Sequence, residues 1–580
     1  MREHPYLTVA TETRRLVPNR WDVVAIPILF AVVFAVVVGI RQVAAPIEVL
    51  QTHSVTLDPW NLPNYALRTT LRMLAALGCS LVFTLVYATL AAKSRRLGLV
   101  LIPILDVLQS VPVLGYLSFT VTFFLALFPG SVAGAECAAV FAIFTSQAWN
   151  MTFSFYQSLR TVPLDLDEAC RSFRFSAWQR FWRLEVPFAM PGLVWNMMMS
   201  MSGGWFFVVA AEAITVGDKQ ITLPGIGSYL ALAISGENLH AVGWAILAMV
   251  IVIGCYDQLM FRPLVAWSDK FRFETVVGET KPESWLLNLV NRARVVQALA
   301  APLGRFVDRV LHLRFAAGSG FGRGTWRRLA PSERTLDIVW YMLLGVTSAY
   351  CLRELVVYVS ATLGWSDFWT AFRLGCYTLL RVIVLIALAS VVWVPLGVMI
   401  GLRPRLAEKV QPIAQFLAAF PANLLYPVAV FLIVHFKLNV NIWLSPLMIL
   451  GTQWYILFNV VAGASVFPTD FIEAAKNLRV RGWLWWRKVA LPGIFCYYVT
   501  GAITATGGAW NASIVSEAVS WGNTKLTAAG LGAYIAEMTE KGDYPRIVLG
   551  IAVMSLFVIL FNRLLWRPLY EFAARRLRVD

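Results

Sequence analysis

The sequence predicts an all-α polytopic membrane protein, built from two parallel six-helix repeats related by a pseudo-two-fold axis along the membrane normal. Three observations lead to this fold class: a strongly apolar composition, long uncharged runs, and an internal duplication. Of 580 residues, 58% are hydrophobic and only 14% are charged, whereas a soluble domain has about 45–50% apolar and about 25% charged residues. The composition indicates that lipid surrounds most of the chain.

Uncharged runs long enough to cross a bilayer recur along the chain. Val23–Ile40 and Val382–Leu402 contain no charged residue, and Ala241–Leu259 contains only Asp257. A hydrocarbon core about 30 Å thick requires roughly 20 apolar helical residues, so each run predicts a membrane helix. Twelve spans are predicted, at 22–40, 67–92, 98–127, 132–157, 188–212, 241–261, 337–360, 374–402, 406–436, 441–463, 493–517 and 545–566.

The second half of the chain repeats the first half at a nearly constant offset. The paired residues include Trp205 with Trp510 and Glu212 with Glu517 at an offset of 305, and Arg72 with Arg381 at an offset of 309. The change in offset places a four-residue deletion in the second half. Because each repeat has an even number of predicted spans, both repeats insert the same way round.

Basic residues distinguish the loops on one side of the predicted membrane from those on the other. Lys93, Arg95 and Arg96 follow the second span, and five arginines lie between the fourth and fifth spans, the first at Arg160 and the last at Arg183. Such loops stay cytoplasmic, which predicts cytoplasmic N- and C-termini, the former uncleaved. The predicted domains are a cytoplasmic segment 1–20, a first transmembrane domain 21–265, a basic cytoplasmic linker 266–335, and a second transmembrane domain 336–580.

The basic linker has helical periodicity over about 284–314, with arginines interleaved among apolar residues. Two interpretations stay open: a helix on the anionic inner leaflet, or a tether that joins the two halves. Gly318–Gly322 predicts a flexible break.

The net charge of +16 is accounted for by these loops, so we expect no nucleic-acid partner. The seven cysteines show no paired spacing and the five histidines are scattered, so neither disulfides nor a metal site is predicted.

Each half carries a polar insertion of about 25 residues between its fourth and fifth predicted spans. The insertions contain Glu168-Ala169-Cys170 and Glu473-Ala474-Ala475, and they end at Pro187 and Pro492, 19 residues after the glutamate in both halves. Asp165 in one and Thr469 and Asp470 in the other can cap backbone amides at a helix start. The pattern predicts a short amphipathic helix that docks into a groove of another protein; the alternative is an ordinary connector.

These insertions resemble the cytoplasmic loop of ABC importer permeases, whose pattern (the EAA motif) is Glu-Ala-Ala, then a glycine, then Leu-Pro. The second loop matches well and the first more loosely, and the branch most similar to this chain is the nitrate/sulfonate/taurine type. The resemblance covers both halves, which would make the chain two permeases fused in tandem. It implies that the ATPase-coupling residues are Glu168, Ala169, Cys170, Arg174, Pro187, Glu473, Ala474, Ala475, Arg479 and Pro492.

One position departs from the family pattern in both halves. The loop glycine is replaced by Arg174 and by Arg479. Glycine adopts a left-handed turn at no steric cost, whereas arginine loses about 1 kcal/mol or more there. Either the turn is built differently, or the arginines contact the ATPase.

The resemblance also implies partners and a location. No phosphate-binding loop of the form GxxxxGK[ST] occurs, so the chain is expected to be a permease component and not an enzyme. Two ABC ATPase subunits would bind ATP and Mg on the cytoplasmic side, and an extracytoplasmic solute-binding protein would deliver a small, anionic solute. The chain itself is expected to need no cofactor or metal and to lie in the bacterial plasma (inner) membrane.

By the family pattern, the third and fifth spans line the translocation path. Candidate path residues are Trp205, Glu212, Trp510, Glu517, Arg72 and Arg381, and polar residues near interior faces are Asn150, Gln147, Gln453 and Asn511. Other roles stay open for each residue type. The tryptophans could pack in the core, and the glutamates could be solvated or form a pair that stabilises a gate. The arginines could snorkel to the membrane interface.

Two other function classes fit the sequence less well than the permease. A twelve-helix proton-coupled secondary transporter would share the parallel repeats but lacks coupling loops, so Glu168 and Glu473 discriminate against it. A polytopic membrane enzyme would need clustered His, Asp or Ser, and the sequence shows no such constellation.

Overall fold

The computed structural model describes residues 19–43, 55–110, 113–216, 219–271, 284–311, 313, 333–465, 467, 469–522 and 524–576. Most of the predicted N-terminal segment, at 1–18, lies outside the described residues. So do 272–283 and 314–332 of the predicted linker, including the proposed break at Gly318–Gly322.

Long apolar helices dominate the described residues, which confirms an all-α polytopic membrane protein. Eight helical segments are long and apolar enough to cross a membrane: Pro59–Lys93, Val132–Arg160, Ala177–Glu212, Leu239–Phe271, Asp337–Ser360, Trp365–Gly401, Gly482–Ser516 and Tyr544–Ala573. Further α-helices are Asp22–Val43, Arg95–Ser110, Val113–Leu127 and, in the linker, Trp285–Arg292 and Arg294–Leu311. The count of twelve spans stays a prediction.

Two further helix pairs are bent and give up to ten spans if each pair is counted as one. Lys409–Ala419 meets Ala422–His435 at 74°, and Val440–Leu450 meets Trp454–Ser465 at 45°. Pro421 lies in the first bend and Gly451 in the second. Proline removes a backbone donor, and glycine weakens a helix, so both residues favour a break. The corresponding fourth span of the first half, Val132–Arg160, is continuous.

The duplication is visible as a repeated order of elements at the 305-residue offset. A short helix, Leu164–Ser172 or Thr469–Asn477, precedes a second one, Ala177–Arg180 or Gly482–Trp485. A π-helical turn and a long helix follow, Phe181–Glu185 and Val186–Glu212 in the first half, Trp486–Ala490 and Leu491–Ser516 in the second. Each half closes with Leu239–Tyr256 or Tyr544–Phe561, a π turn at Asp257–Phe261 or Asn562–Trp566, and Arg262–Ser268 or Arg567–Arg576.

A small antiparallel hairpin follows each long fifth-span helix, a feature that the sequence analysis did not predict. Ala213–Val216 pairs with Lys219–Thr222, and Ala518–Trp521 pairs with Thr524–Thr527. The short helices Ile226–Ser235 and Leu531–Lys541 come next. We call this end of the molecule the hairpin end, and the opposite end of the fifth-span helices, with Leu164–Ser172 and Thr469–Asn477, the loop end.

The two halves exchange their third spans, so each hydrophobic core contains side chains from both. Val113, Leu117 and Val121 of the first half pack into the core formed mainly by the second half. Residues 422–433 of the second half pack in return into the core of the first half, together with Trp521 of the second hairpin. A backbone bond from Gly522 N to Ile234 O (2.9 Å) also joins the halves at the hairpin end. The interface between the halves is therefore continuous with both cores.

Candidate functional sites: two exposed loops, two buried ion pairs and a central cavity

The two loop helices, Leu164–Ser172 and Thr469–Asn477, present their glutamates outward. Glu168 and Glu473 are exposed, as are Ala169 and Ala474. The third motif residue turns inward in both helices, since Cys170 is half-buried and Ala475 is buried. Burial raises the pKa of the Cys170 thiol, so this cysteine acts as a small packing residue. The motif therefore gives each helix one exposed acidic edge and one packed edge.

The start of the first loop helix differs from the predicted capping. Pro163 is the N-cap residue and no side chain caps the helix. Asp165 lies within the first turn, where a carboxylate suits the positive end of the helix dipole. The side chains of Thr469 and Asp470 lie outside the described residues.

Both loop helices end in a left-handed residue, and that residue is arginine. Arg174 has φ 55° and Arg479 has φ 52°. In the first loop Phe175 N donates to Cys170 O (3.0 Å), and in the second Val480 N donates to Ala475 O (2.9 Å). This 6→1 bond closes a Schellman motif, in which glycine is the usual left-handed residue. The alternative of a differently built turn is therefore wrong: the arginines occupy the glycine conformation.

The two prolines of the motif mark the junction between each loop and its fifth span. Pro187 and Pro492 are the second residues of the long helices, which begin directly after the π-helical turns Phe181–Glu185 and Trp486–Ala490. Proline lacks the amide proton that an α-helix would bond to the carbonyl four residues earlier. The wider π turn accommodates that loss, so each loop joins its span through the same non-standard turn.

A chain of ion pairs holds the first loop against the rest of the protein. Asp167 contacts Arg180 at 3.0 Å and Arg171 at 2.7 Å, and Glu185 contacts Lys93 at 2.9 Å and Arg180 at 3.4 Å. Ser176 and Gln179 add a capping box at the next short helix. This network could not be predicted from the sequence, because it joins residues that only the folded loop brings together.

At the hairpin end of the first half, Arg72 is held between two carboxylates. Its Nη1 lies 2.7 Å from Glu212 Oε1, and its Nε and Nη2 each lie 2.6 Å from the two oxygens of Glu136. The Arg72 side chain is 4% exposed and that of Glu212 is 0% exposed. Thr69 Oγ1 (2.7 Å) and Gly227 N (2.7 Å) also donate to Glu212. Snorkelling is therefore the wrong interpretation of Arg72.

The second half builds the equivalent cluster with one carboxylate fewer. Arg381 Nη1 lies 2.8 Å from Glu517 Oε1, and Thr378 Oγ1 donates to the same oxygen at 2.9 Å. Asn441, at the position equivalent to Glu136, accepts from Arg381 Nη2 at 3.4 Å. Gly532 N donates to Glu517 Oε2 at 2.8 Å. In both halves the pair ties the second span to the end of the fifth-span helix, and the glutamate also accepts from the segment after the hairpin.

Glycine is required beside each of these glutamates. A Cβ on Gly225 would lie 2.2 Å from the Glu212 carboxyl carbon, and a Cβ on Gly530 would lie 2.2 Å from Glu517 Oε2. The glycine-rich segments after the hairpins therefore allow close approach of the backbone to a buried carboxylate.

The candidate path residues of the sequence analysis lie in these clusters or in the cores. Trp205 packs edge-on against Tyr256 with ring centroids 5.5 Å apart, and Trp510 stacks on Phe557 at 6.2 Å. Both tryptophans are buried. In this conformation none of the six candidates lines the central cavity described next. Their path role stays a prediction, and the geometry favours packing for the tryptophans and stabilising pairs for the glutamates.

A central cavity of about 140 Å³ lies where the two halves meet. The breaks of the two bent helices contribute Phe420, Ala422, Gly451 and Thr452 to its wall. The fifth spans contribute Gly203, Gly507 and Gly508. Its aromatic residues are Trp149, Phe206, Phe207, Phe420, Tyr426 and Tyr455. Its polar residues are Gln109, Thr145, Ser146, Asn150, Ser202, Thr452, Thr504 and Asn511. Within the described part of the chain, no charged side chain lines it.

Two details indicate that the cavity has room and donors for a ligand. The Thr452 hydroxyl is buried and has no hydrogen-bond partner. A Cβ added at Gly507 would meet no atom within 4 Å, so this residue leaves open space on the cavity wall. Asn150 and Asn511 line the cavity, whereas Gln147 contacts the sulfurs of Met73 and Met201, and Gln453 accepts from Trp393.

Among the described residues, no group of three or more His, Cys, Asp or Glu side chains could hold a metal ion. The fold and its sites define a membrane permease made of two fused, interlocked repeats. The model of the family described as binding-protein-dependent transport system inner membrane component matches residues 80–256 and 393–578. The chain therefore belongs to this family, and the tandem organisation and the predicted resemblance to ABC importer permeases are confirmed. The chain is a permease component and not an enzyme.

Curated relatives match parts of the chain at modest identity. The bicarbonate transport system permease protein CmpB of Synechococcus elongatus is 27% identical over 214 residues, which cover 36% of this chain and 72% of that protein. The nitrate import permease protein NrtB of Leptolyngbya laminosa is 25% identical over 250 residues, covering 41% and 86%. The glycine betaine/proline betaine transport system permease protein ProW of Escherichia coli is 31% identical over 161 residues, covering 28% and 42%.

Proposed function

We propose that this chain forms the complete membrane path of an ABC importer for a small anionic solute. Two separate ATPase subunits would bind ATP and Mg at the loop end, which would face the cytoplasm. An extracytoplasmic solute-binding protein would deliver the solute at the hairpin end. The observation that carries the proposal is the central cavity between two halves that each present an exposed, motif-bearing loop helix.

The loop helices support the coupling part of the proposal. Glu168 and Glu473 lie on exposed edges, and each helix is followed by a strained arginine turn and a π turn that leads into a fifth span. The fifth spans line the cavity at Gly203 and Gly507. A displacement of a loop helix would therefore reach the cavity wall through one continuous helix.

The cavity chemistry supports a small oxyanion. The unpartnered Thr452 hydroxyl and the Asn150 amide line it, and no charged group does within the described residues. Neutral donors can replace part of the hydration shell of an anion without holding it as tightly as a buried arginine would. Conduction needs binding that is strong enough for entry and weak enough for release. Bicarbonate and nitrate, named for two of the relatives, are small oxyanions of this kind.

A second candidate solute is a zwitterion with a quaternary ammonium group, such as a betaine. Six aromatic side chains line the cavity, and aromatic faces attract quaternary ammonium groups by cation–π interaction. A relative named for glycine betaine also matches the chain. The same neutral donors would then contact the carboxylate of the solute.

The solute class is tested in proteoliposomes that contain the chain, its co-expressed ATPase subunits and its solute-binding protein. Uptake of labelled bicarbonate, nitrate, a sulfonate and glycine betaine is measured with and without ATP. Uptake of an oxyanion alone supports the first candidate, and uptake of the betaine alone supports the second. Full uptake without any ATPase would overturn the importer proposal in favour of a secondary transporter.

The path is tested by filling the open space at Gly507. Gly507→Leu should abolish uptake while the protein stays folded, because the new side chain enters the cavity and meets no neighbouring atom at its Cβ. Gly243→Leu is the matched control, since Gly243 also has open space around its Cβ but lies away from the cavity. Normal uptake by the Gly507 variant would show that solute passes elsewhere.

Coupling is tested by charge reversal at both loop helices. The double variant Glu168→Arg and Glu473→Arg should lose ATP-driven uptake or release the ATPase subunits, while the chain still inserts into the membrane. Glu540→Arg is the control for membrane insertion and ATPase retention, because Glu540 is an exposed acid at the hairpin end, away from the proposed ATPase contact. Unchanged uptake by the double variant would count heavily against the coupling role.

A further inference from the structure

The described part of the linker contains a helix with an exposed apolar face. This linker helix, Arg294–Leu311, has Leu299 and Phe306 each 63% exposed. The two residues are seven positions apart, which is about two helical turns, so both side chains project from the same face. Bulky apolar side chains in that arrangement require a covering partner, because a helix of this kind gains little stability in water.

The linker helix is anchored at its N-terminal end to the start of the first apolar helix, Asp22–Val43. Val295 N donates to Asp22 Oδ1 at 2.9 Å, and Asn19 Nδ2 donates to Arg292 O at 2.7 Å. The Arg292 guanidinium lies over the Trp21 ring, 5.2 Å from its centroid. These contacts fix one end of the linker helix beside the first residues of an apolar helix.

The other end of the linker helix is anchored to the start of a second membrane segment. Trp178 Nε1 donates to Val310 O at 2.9 Å, and Trp178 is the second residue of the segment Ala177–Glu212. An 18-residue helix is about 27 Å long. It therefore reaches from the start of one apolar helix to the short helix Ala177–Arg180, which leads through the π turn into the fifth span.

The charges around the apolar face are mostly positive. Arg294, Arg305 and Arg309 lie on the same helix, together with one acid, Asp308. On a helical projection Arg309 flanks the stripe that contains Leu299 and Phe306, and Arg294, Arg305 and Asp308 lie about 100° or more from both residues. Basic residues near an anionic leaflet contribute about 1 kcal/mol each, whereas an acidic partner surface would not explain the bulky apolar stripe between them.

We propose that the linker helix is an interfacial membrane helix that binds anionic lipid. Leu299 and Phe306 insert into the boundary between headgroups and acyl chains, and the arginines contact the anionic headgroups. Apolar area and electrostatic attraction together give such helices their affinity. The inference is independent of the transported solute and of ATP coupling.

Immersion of the helix is tested with nitroxide labels on the full-length protein in lipid nanodiscs. The seven native cysteines are replaced, and single labels are placed by Leu299→Cys, Phe306→Cys and Gly304→Cys. The control position Gly304 has open space around it and projects from the opposite side of the helix. In nanodiscs with 30% anionic lipid, labels at 299 and 306 should collide with oxygen and be protected from a water-soluble nickel chelate at least threefold more than the label at 304.

Equal nickel exposure at all three positions would overturn the proposal. Protection at 299 and 306 that requires added ATPase subunits would overturn it too, because the face would then be a protein-docking surface. The anionic preference is tested in neutral nanodiscs and with Arg305→Gln and Arg309→Gln. Each change should reduce the protection at 299, whereas equal protection in neutral and anionic lipid would contradict the role of the arginines.

Discussion

The loop end of the first half and that of the second half share a backbone but differ in chemistry. Both have a nine-residue helix, a left-handed arginine and a π turn at the same offset. The first is held by the ion pairs of Asp167, Arg180 and Glu185. The equivalent residues of the second are Ile472, Trp485 and Ala490, which form no ion pairs. The shared fold of the loops therefore does not depend on the network.

The surfaces that the two loops present also differ. Trp483 is 75% exposed, whereas its counterpart Trp178 is half-buried and donates to the linker helix at Val310 O. A similar contrast exists at the hairpin end, where Arg72 faces two carboxylates and Arg381 faces one carboxylate and an amide. Duplication preserved the positions, while the contacts of each half diverged.

The largest expected effect concerns the buried ion pairs. Arg72→Met and Arg381→Met should both destabilise the protein, since breaking a buried pair costs about 3–5 kcal/mol by leaving an uncompensated charge. The Arg72 variant should be the less stable of the two, because it strands both Glu136 and Glu212. Apparent Tm in detergent measures the difference. If the two variants lose the same stability, the second carboxylate, Glu136, does not contribute to the difference between the two halves.

The left-handed arginines should give the next largest effect. Arg174→Gly and Arg479→Gly should each raise stability by about 1 kcal/mol, because glycine relieves the left-handed conformation that costs other residues roughly 1–2 kcal/mol. The two gains should be equal, since the two φ values, 55° and 52°, nearly coincide. A gain in Tm with a loss of ATP-driven uptake would assign the arginine side chains to the ATPase interface.

A smaller difference in stability is expected between substitutions of Trp178 and Trp483. Trp178→Phe removes the hydrogen bond to Val310 O and should cost about 0.5–1.5 kcal/mol. Trp483→Phe should change stability by less than about 0.5 kcal/mol, because Trp483 is exposed. The pair is compared by apparent Tm at identical detergent and salt. A larger loss for Trp483 would contradict the asymmetry.

The smallest effect should come from the surface charges of the first loop. Asp167→Asn weakens contacts to Arg171 and Arg180, and partly exposed pairs contribute about 0.2–1 kcal/mol. The loss should shrink as salt is raised from 0.05 to 1 M, because ions screen such pairs. Ile472→Val in the second loop serves as the uncharged control, and a salt-independent loss at Asp167 would point to packing instead.

Residue patterns in the sequence were sufficient for the membrane class, the duplication and the loop helices, because each depends on local composition or spacing. The hairpins were missed although a signal exists: Gly217-Asp218 and Gly522-Asn523 stand between short alternating runs in both halves. The partners of Arg72 and Arg381 could not be derived. Offsets pair equivalent positions of the two halves, but they do not report which residues of one half touch each other.

The cavity and the exchange of third spans could not be predicted from apolar periodicity. Apolar periodicity identifies a face that must be covered, and it does not identify the helix that covers it. Pro421 lies in the third span of the second half, and the bend of 74° there creates part of the cavity wall. The left-handed conformation of the two arginines could not be predicted from the sequence either. The type of a turn depends on the hydrogen bonds that close it, and the sequence pattern does not show those bonds.

The exchange of third spans has a consequence for biogenesis. Val113, Leu117 and Val121 share a core with Leu549, Val553 and Phe557, which the ribosome produces more than 400 residues later. The amino-terminal repeat is therefore synthesised before part of the core that covers its third span exists. Truncated products that stop in the linker would lack that part of the core permanently, which makes them natural substrates for membrane quality-control proteases.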